Sequence, residues 1–245
     1  MSSFTAHSSS PAASSGDALE NLRQQLRAES LKKQLSAIHE LVGIGDQGIE
    51  LLQQVLLERQ EQPPEILDGK IIQVLYATQR PEVQSFLQSH WPQGRVPTPS
   101  ERGIDYAALQ ALLVAQSFEA ADRLNMQKLC ELAGPDAARR KWLYFTEVEQ
   151  FPAVDLQTLD ALWRLYSEGK FGFSRQRQIW QGQGQSWEKL WTRIAWRNET
   201  TWTRYPNEFI WDLSAPDGHL PLSNQLRGVR VMAALLSHPV WSASR

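Results

Sequence analysis

The chain has 245 residues, room for one large domain or two modest ones, and 42% of them are hydrophobic, an ordinary globular fraction. A formal net charge of −2 argues against attachment to nucleic acid mainly through phosphate contacts, which calls for a strongly basic domain. The single cysteine, Cys130, excludes an intramolecular disulfide framework and a cysteine-cluster metal site, and it favours a reducing compartment.

Residues 1–16 are rich in Ser and Ala, with neither the apolar core of a secretory signal nor the Arg and Lys of a transit peptide; they read as a disordered tail. No window approaches the roughly 18 consecutive apolar residues of a membrane span. From Leu19 the apolar positions recur at helical spacing. Leu22, Leu26, Leu31, Leu35, Ile38 and Leu41 form one stripe, Gly43 and Gly45 break it, and Ile49, Leu52, Val55 and Leu56 resume it. Pro63-Pro64 and Pro81 punctuate further helices up to His90. Residues 17–92 therefore predict a small helical bundle, or a HEAT-like pair of helical hairpins, with no evident site. The Pro/Gly/Ser stretch within 93–102 reads as a linker.

A second helical domain is expected over 103–245. Asp105 and Ser117 are candidate caps for two helices, the second stopping at Gly134-Pro135. A third helix is expected from Trp142 to Glu149, and a fourth after Asp155 carrying Leu159, Leu162 and Trp163. Ser174 and Ser186 suggest caps for two short ones. The stretch Thr200–Asp212 has no helical repeat and leads to the Pro216-Asp217-Gly218 turn. Ser223 reads as the cap of a last helix carrying Leu226, Val229, Ala233 and Leu236. With no convincing strand pair, the fold class is all-α.

Catalytic and metal motifs are absent, and the five histidines are scattered without ligand spacing. His219, beside the turn, reads as a turn or capping residue ahead of an iron ligand. Cys130 reads as a small core residue, and Glu147 and Glu149, two apart, point in different directions on a helix and cannot act as one carboxylate pair. The unusual feature is tryptophan: nine of the ten lie between Trp142 and Trp241. Core packing is the plainer account of any one of them, but indoles are seldom fully buried and need a partner for the N–H. Arginines interleave with them, and Arg227 and Arg230 lie three apart, neighbours on a helical face with Gly228 between. Rings with guanidinium groups suit a flat, apolar ligand with anionic edges. Nucleic-acid bases fit less well at this net charge, and carbohydrate would not require the arginines. A helical interaction module docking another protein through its Trp and Arg residues fits equally well.

The runs LCELAGP, WLYFTEVEQFPAVDL, FGFS, TTWTRYPNEFIWDLSAPDGHLPL and NQLRGVRV, in order across the chain, resemble the genomes-uncoupled-four family of tetrapyrrole-binding proteins, with an N-terminal part similar to cyanobacterial members. The resemblance implies an N-terminal bundle beside an all-helical core shaped like a cupped hand. It implies binding of protoporphyrin IX and Mg-protoporphyrin IX without catalysis, no required cofactor, and stimulation of magnesium chelatase in chlorophyll biosynthesis through the chelatase H subunit. A cytoplasmic monomer, partly peripheral to photosynthetic membranes, is the corresponding expectation. By motif, Phe145, Val148, Trp202, Tyr205 and Phe209 would contact the ring and Arg204, Arg227 and Arg230 its propionates, with Asn224 a polar contact near the central metal or its water. Relatives often have Trp where this chain has Tyr205, and some have Arg where Met126 stands; both departures bear on affinity.

Overall fold

The computed structural model describes residues 11–198, 200–223 and 229–242. Contacts divide the chain between Pro63 and Pro64 into two compact units.

The first unit is three helices, α1 (Pro11–Leu26), α2 (Leu31–Ile44) and α3 (Asp46–Glu58). Residues 1–10 of the expected disordered tail lie outside the described residues, but Pro11–Gly16 correct that expectation by forming the first turns of α1. Proline suits the start of a helix, where its missing N–H has no partner to lose. The apolar stripe read from the sequence is the core: Leu22, Leu26, Ile38, Leu41, Ile49, Leu52, Val55 and Leu56 are all buried. Gly45 turns the chain between α2 and α3 at φ 89°, a left-handed conformation that favours glycine. Gly48 lets the two helices close up, because a Cβ there would overlap the Leu41 carbonyl.

The second unit begins with α4 (Ile66–Ala77) and α5 (Pro81–His90). The sequence grouped both with the N-terminal bundle, whereas in contacts α4 packs against α6 (Ala107–Val114) and α10 (Ala153–Leu165). Gln73 in α4 is buried and donates to the carbonyls of Leu113, at 3.0 Å, and Tyr166, at 2.7 Å. Between them in sequence run α7 (Phe118–Ala133), α8 (Pro135–Arg140) and α9 (Phe145–Val148), followed after α10 by α11 (Phe173–Gly182) and α12 (Trp187–Arg193). A two-residue antiparallel pair, β1 (Arg197–Asn198) with β2 (Thr201–Trp202), departs from the purely helical expectation without changing the class. The chain ends in α13 (Arg230–Ser237) and a 3₁₀ turn over Pro239–Ser242. The helix expected from Trp142 to Glu149 is only the four residues of α9, because Lys141 adopts a left-handed conformation, φ 61°, after α8. Likewise α13 starts at Arg230; the expected turns carrying Leu226 and Arg227 lie outside the described residues.

The stretch that reads as a linker is strapped to the core. Gln110 receives Val96 N–H at 3.0 Å and donates to the Gln93 and Val96 carbonyls, each at 3.1 Å. Asp155, expected to cap α10, instead sits in its first turn, fully buried, and gathers Ser100, the Glu101 N–H at 3.0 Å and the Tyr106 hydroxyl at 2.8 Å. Burial and this carboxylate both push the Tyr106 hydroxyl pKa upward. Three donors converging on one buried carboxylate satisfy groups that would otherwise be orphaned. Asp155→Ala is therefore expected to lower stability by about 2–5 kcal/mol. Urea denaturation of the full chain checks it, and a loss below about 1 kcal/mol would show that the clamp is not used.

Candidate ligand-binding site

Tryptophan clustering has a structural explanation in α11 and α12. Trp180, Trp187, Trp191 and Trp196 form a continuous column, with successive ring centroids 4.8, 5.4 and 5.4 Å apart. The last pair is nearly parallel, 7° between planes, and both its rings are buried. Trp196 donates its indole N–H to the His219 carbonyl at 2.7 Å, and Trp163, also fully buried, donates to Asn125 at 3.0 Å. Trp163, Trp191 and Trp196 belong to the core, whereas Trp180 and Trp187 are half-buried at the outer end of the column.

Trp202 is different. It lies half-buried on β2 beside the third ring of the column, 5.9 Å from Trp191, with the Arg197 guanidinium of the paired strand 5.8 Å from its ring centre. Beyond it the loop 203–211 folds an aromatic cluster in which Tyr205, Phe209 and Trp211 lie 5.9–6.2 Å from one another. Phe209 is inside, 5% exposed, while Tyr205 is 49% exposed, so the cluster offers one ring to an incoming molecule and holds it from behind. Arg204 points into solvent, with its backbone N–H on Glu208 at 2.8 Å and its guanidinium 3.9 Å from the same carboxylate.

His219 holds the loop in place. Its Nδ1–H donates to the Ile194 carbonyl at 2.6 Å and its Nε2 accepts from Ile210 N–H at 3.1 Å, an assignment fixed by the partners. Both nitrogens are engaged, so this is the turn residue expected and leaves no lone pair for a metal. Burial lowers its pKa, which keeps the ring neutral. Among the described residues no group of three or more His, Cys, Asp and Glu is placed to hold a metal ion.

A second cluster forms where α13 packs on α9. The Arg230 guanidinium lies 5.5 Å over the Phe145 ring, a cation–π arrangement with Arg230 exposed and Phe145 half-buried. Arg230 thus meets Phe145. Val148, one turn on, has no exposed surface and supports Phe145 from the core. Asn224 and Arg227 lie outside the described residues.

α7 links the two clusters. Near its start Asp122 is buried and accepts the Leu222 N–H at 2.6 Å, and its charge raises the pKa of the Tyr205 hydroxyl alongside partial burial. Two turns on, Cys130 feels the charges of Arg140 and Glu147, which pair with each other beside α9. Eight residues of helix separate these positions, about 12 Å along the axis.

With this geometry in hand, comparison with known proteins is decisive. The family model described as "GUN4-like" matches residues 99–239, and "ARM-like repeat domain, GUN4-N terminal" matches residues 11–92. The chain belongs to the GUN4-like family. It is 50% identical over 227 residues to a Ycf53-like protein of Synechocystis sp., covering 92% of this chain and 97% of that one. It is 33% identical over 148 residues to the chloroplastic tetrapyrrole-binding protein of Arabidopsis thaliana, covering 57% and 56% of the two chains. The structure of GUN4 from Chlamydomonas reinhardtii superposes with a TM-score of 0.56 at 40% identity, covering 60% of this chain and 96% of that one. Ligand-free Arabidopsis GUN4 matches with a TM-score of 0.53 at 35% identity, covering 57% and 99%. Among the described residues no helix is long and apolar enough to cross a membrane.

Sequence reasoning missed Asp122 in this GUN4-like chain. It stands within a helical run whose apolar neighbours draw attention, and only the fold brings Leu222, 100 residues away, onto its carboxylate. Burial pushes its pKa up to about 7, opposed by the Leu222 N–H and the charge of Arg123. A folded pKa above the ordinary 3.8 means that the folded state binds the proton more tightly than the unfolded chain. Stability from this group is full below about pH 4, declines between about pH 4 and about pH 7, and levels off above that. Asp122→Asn keeps an oxygen for Leu222 and removes the charge, so it is expected to flatten that decline and to exceed wild type by about 2–4 kcal/mol near pH 8. Urea melts across pH check this, and identical pH profiles for the two proteins would refute it.

Proposed function

We propose that the chain binds a tetrapyrrole, protoporphyrin IX and its magnesium complex, at the surface running from Trp202 and Tyr205 along α7 to Phe145 and Arg230. The observation that carries it is the set of incompletely buried rings, Trp202, Tyr205 and Phe145, with the exposed Arg230 guanidinium over the last of them, in a chain of the GUN4-like family. The Arabidopsis relative's description as a tetrapyrrole-binding protein agrees with it. Trp202, Tyr205 and Phe145 would cover the macrocycle's face, with Phe209 and Val148 backing them. Arg230, Arg204 and Arg227 would hold the carboxylate edges and Asn224 a polar contact near the centre. Guanidinium groups suit this task because their paired N–H donors match a carboxylate.

Titration with a water-soluble porphyrin dicarboxylate is expected to quench tryptophan emission and red-shift the porphyrin absorption at micromolar levels. Unchanged spectra would end the proposal. Arg230→Ala is expected to weaken binding by about 1–3 kcal/mol, the loss of a charged hydrogen bond, and unchanged affinity would remove the carboxylate role from that residue.

The protein has no catalysis of its own in this proposal. It stimulates magnesium chelatase through the H subunit, and it works in the cytoplasm with peripheral contact to photosynthetic membranes. Chelatase rates are expected to rise on adding wild type and to rise less with Arg230→Ala. An equal effect of both would separate stimulation from porphyrin binding, and capture of the H subunit without any porphyrin affinity would favour a plain docking module instead.

A further inference from the structure

A buried carboxylate must be served by hydrogen bonds or take up a proton, because burial disfavours its charged form. Asp122 is 5% exposed, and among the described residues its hydrogen-bond partner is a single backbone donor, Leu222 N–H. On α7 the charged neighbours are Arg123 and Glu119, opposite in sign, and Met126, one turn along, carries no charge. From the aromatic loop Tyr205 faces it, with a hydroxyl whose pKa is raised and which stays neutral. From the 218–223 segment it meets backbone. That segment is otherwise fastened from the far side, where Gln176 donates to the carbonyls of Gly218 at 3.0 Å and Pro221 at 2.8 Å. Asp122 therefore ties α7 to the chain at Leu222, near enough to Tyr205 for the hydroxyl there to feel its charge.

We propose that Asp122 is a proton-linked positioning residue of the ligand site, which carries its proton when an anionic ligand is bound beside Tyr205. The inference rests on the tetrapyrrole reading above. A ligand with carboxylate edges raises the cost of a second, buried negative charge close by, so binding favours the neutral carboxyl. The linkage is reciprocal: binding takes up a proton, and affinity falls as pH rises through the titration of Asp122. The rise of its pKa to about 7 puts that titration in the neutral range.

The full-length protein is titrated with deuteroporphyrin IX by tryptophan quenching at several pH values between about 6 and about 8, in wild type and Asp122→Asn. Wild-type affinity is expected to fall by about 3–10-fold across the window, and the variant to hold the low-pH affinity throughout. Comparing the two at each pH cancels the titration of the porphyrin itself. Calorimetry of wild type near pH 7 in two buffers of different ionisation enthalpy is expected to find net proton uptake, a result that needs no variant. Binding with the same pH profile in both proteins, or with no proton uptake, overturns the role of Asp122 and leaves tetrapyrrole binding standing. No binding at any pH overturns both.

Discussion

Between Trp202 and Arg230 the chain has no helix or strand among its described residues, and a stretch of that length owns many backbone groups that regular structure cannot satisfy. What makes it a defined surface is a set of side chains from elsewhere that bond its backbone. Lys170 donates to the Leu213 carbonyl at 2.5 Å, and Gln176 to those of Gly218 and Pro221. The His219 ring binds Ile194 and Ile210 at once, and Trp211 donates back to Pro206 at 3.0 Å. Gln176 and His219 are almost wholly buried, so their bonds form where water cannot compete and leaving one unmade is costly. Tyr205 can stand half-exposed because the loop beneath it is held.

The tryptophans follow from the same requirement. A long loop laid over a small helical unit needs wide, flat side chains to fill the space under it, and each indole brings one donor that must find an acceptor. Trp196 meets both needs, with its ring at the end of the column and its N–H on the His219 carbonyl. The column carries order from α11 through α12 to Trp191, against which Trp202 leans with the Arg197 guanidinium near its ring. The compositional excess is thus divided: Trp163, Trp191 and Trp196 are buried scaffold, and the remaining indoles from Trp142 to Trp241 stay half-open.

Charge is handled by two buried carboxylates in contrasting ways. Asp155 collects three donors and ties residues 100–106 to α10. Asp122 has one backbone donor and lies on α7, where the aromatic loop and the arginine-bearing segment meet. Equal burial with unequal hydrogen bonding separates a structural clamp from a group whose charge state responds to its surroundings.

Helical periodicity determined the fold class and most of the first unit's core, because a 3.6-residue stripe is a local property of the chain. The family was likewise legible, since long ordered runs survive in the sequence itself. Helix ends were less so: Asp155 reads as a cap by residue type, and it takes tertiary donors from Ser100 to Tyr106 to make it a buried hub. The same limit applied to the site. Residue type nominated Trp202, Tyr205, Phe145 and Arg230, but spacing could not tell that Arg230 would lie over Phe145 or that Val148 would be sealed in the core. It could not find Asp122 at all, whose partner lies 100 residues away. The sequence alone determined the helical class, the family and the chemistry the chain carries. Only the tertiary structure decided which rings stay open and which charges stay unpaired, because burial depends on contacts between segments that no local pattern encodes.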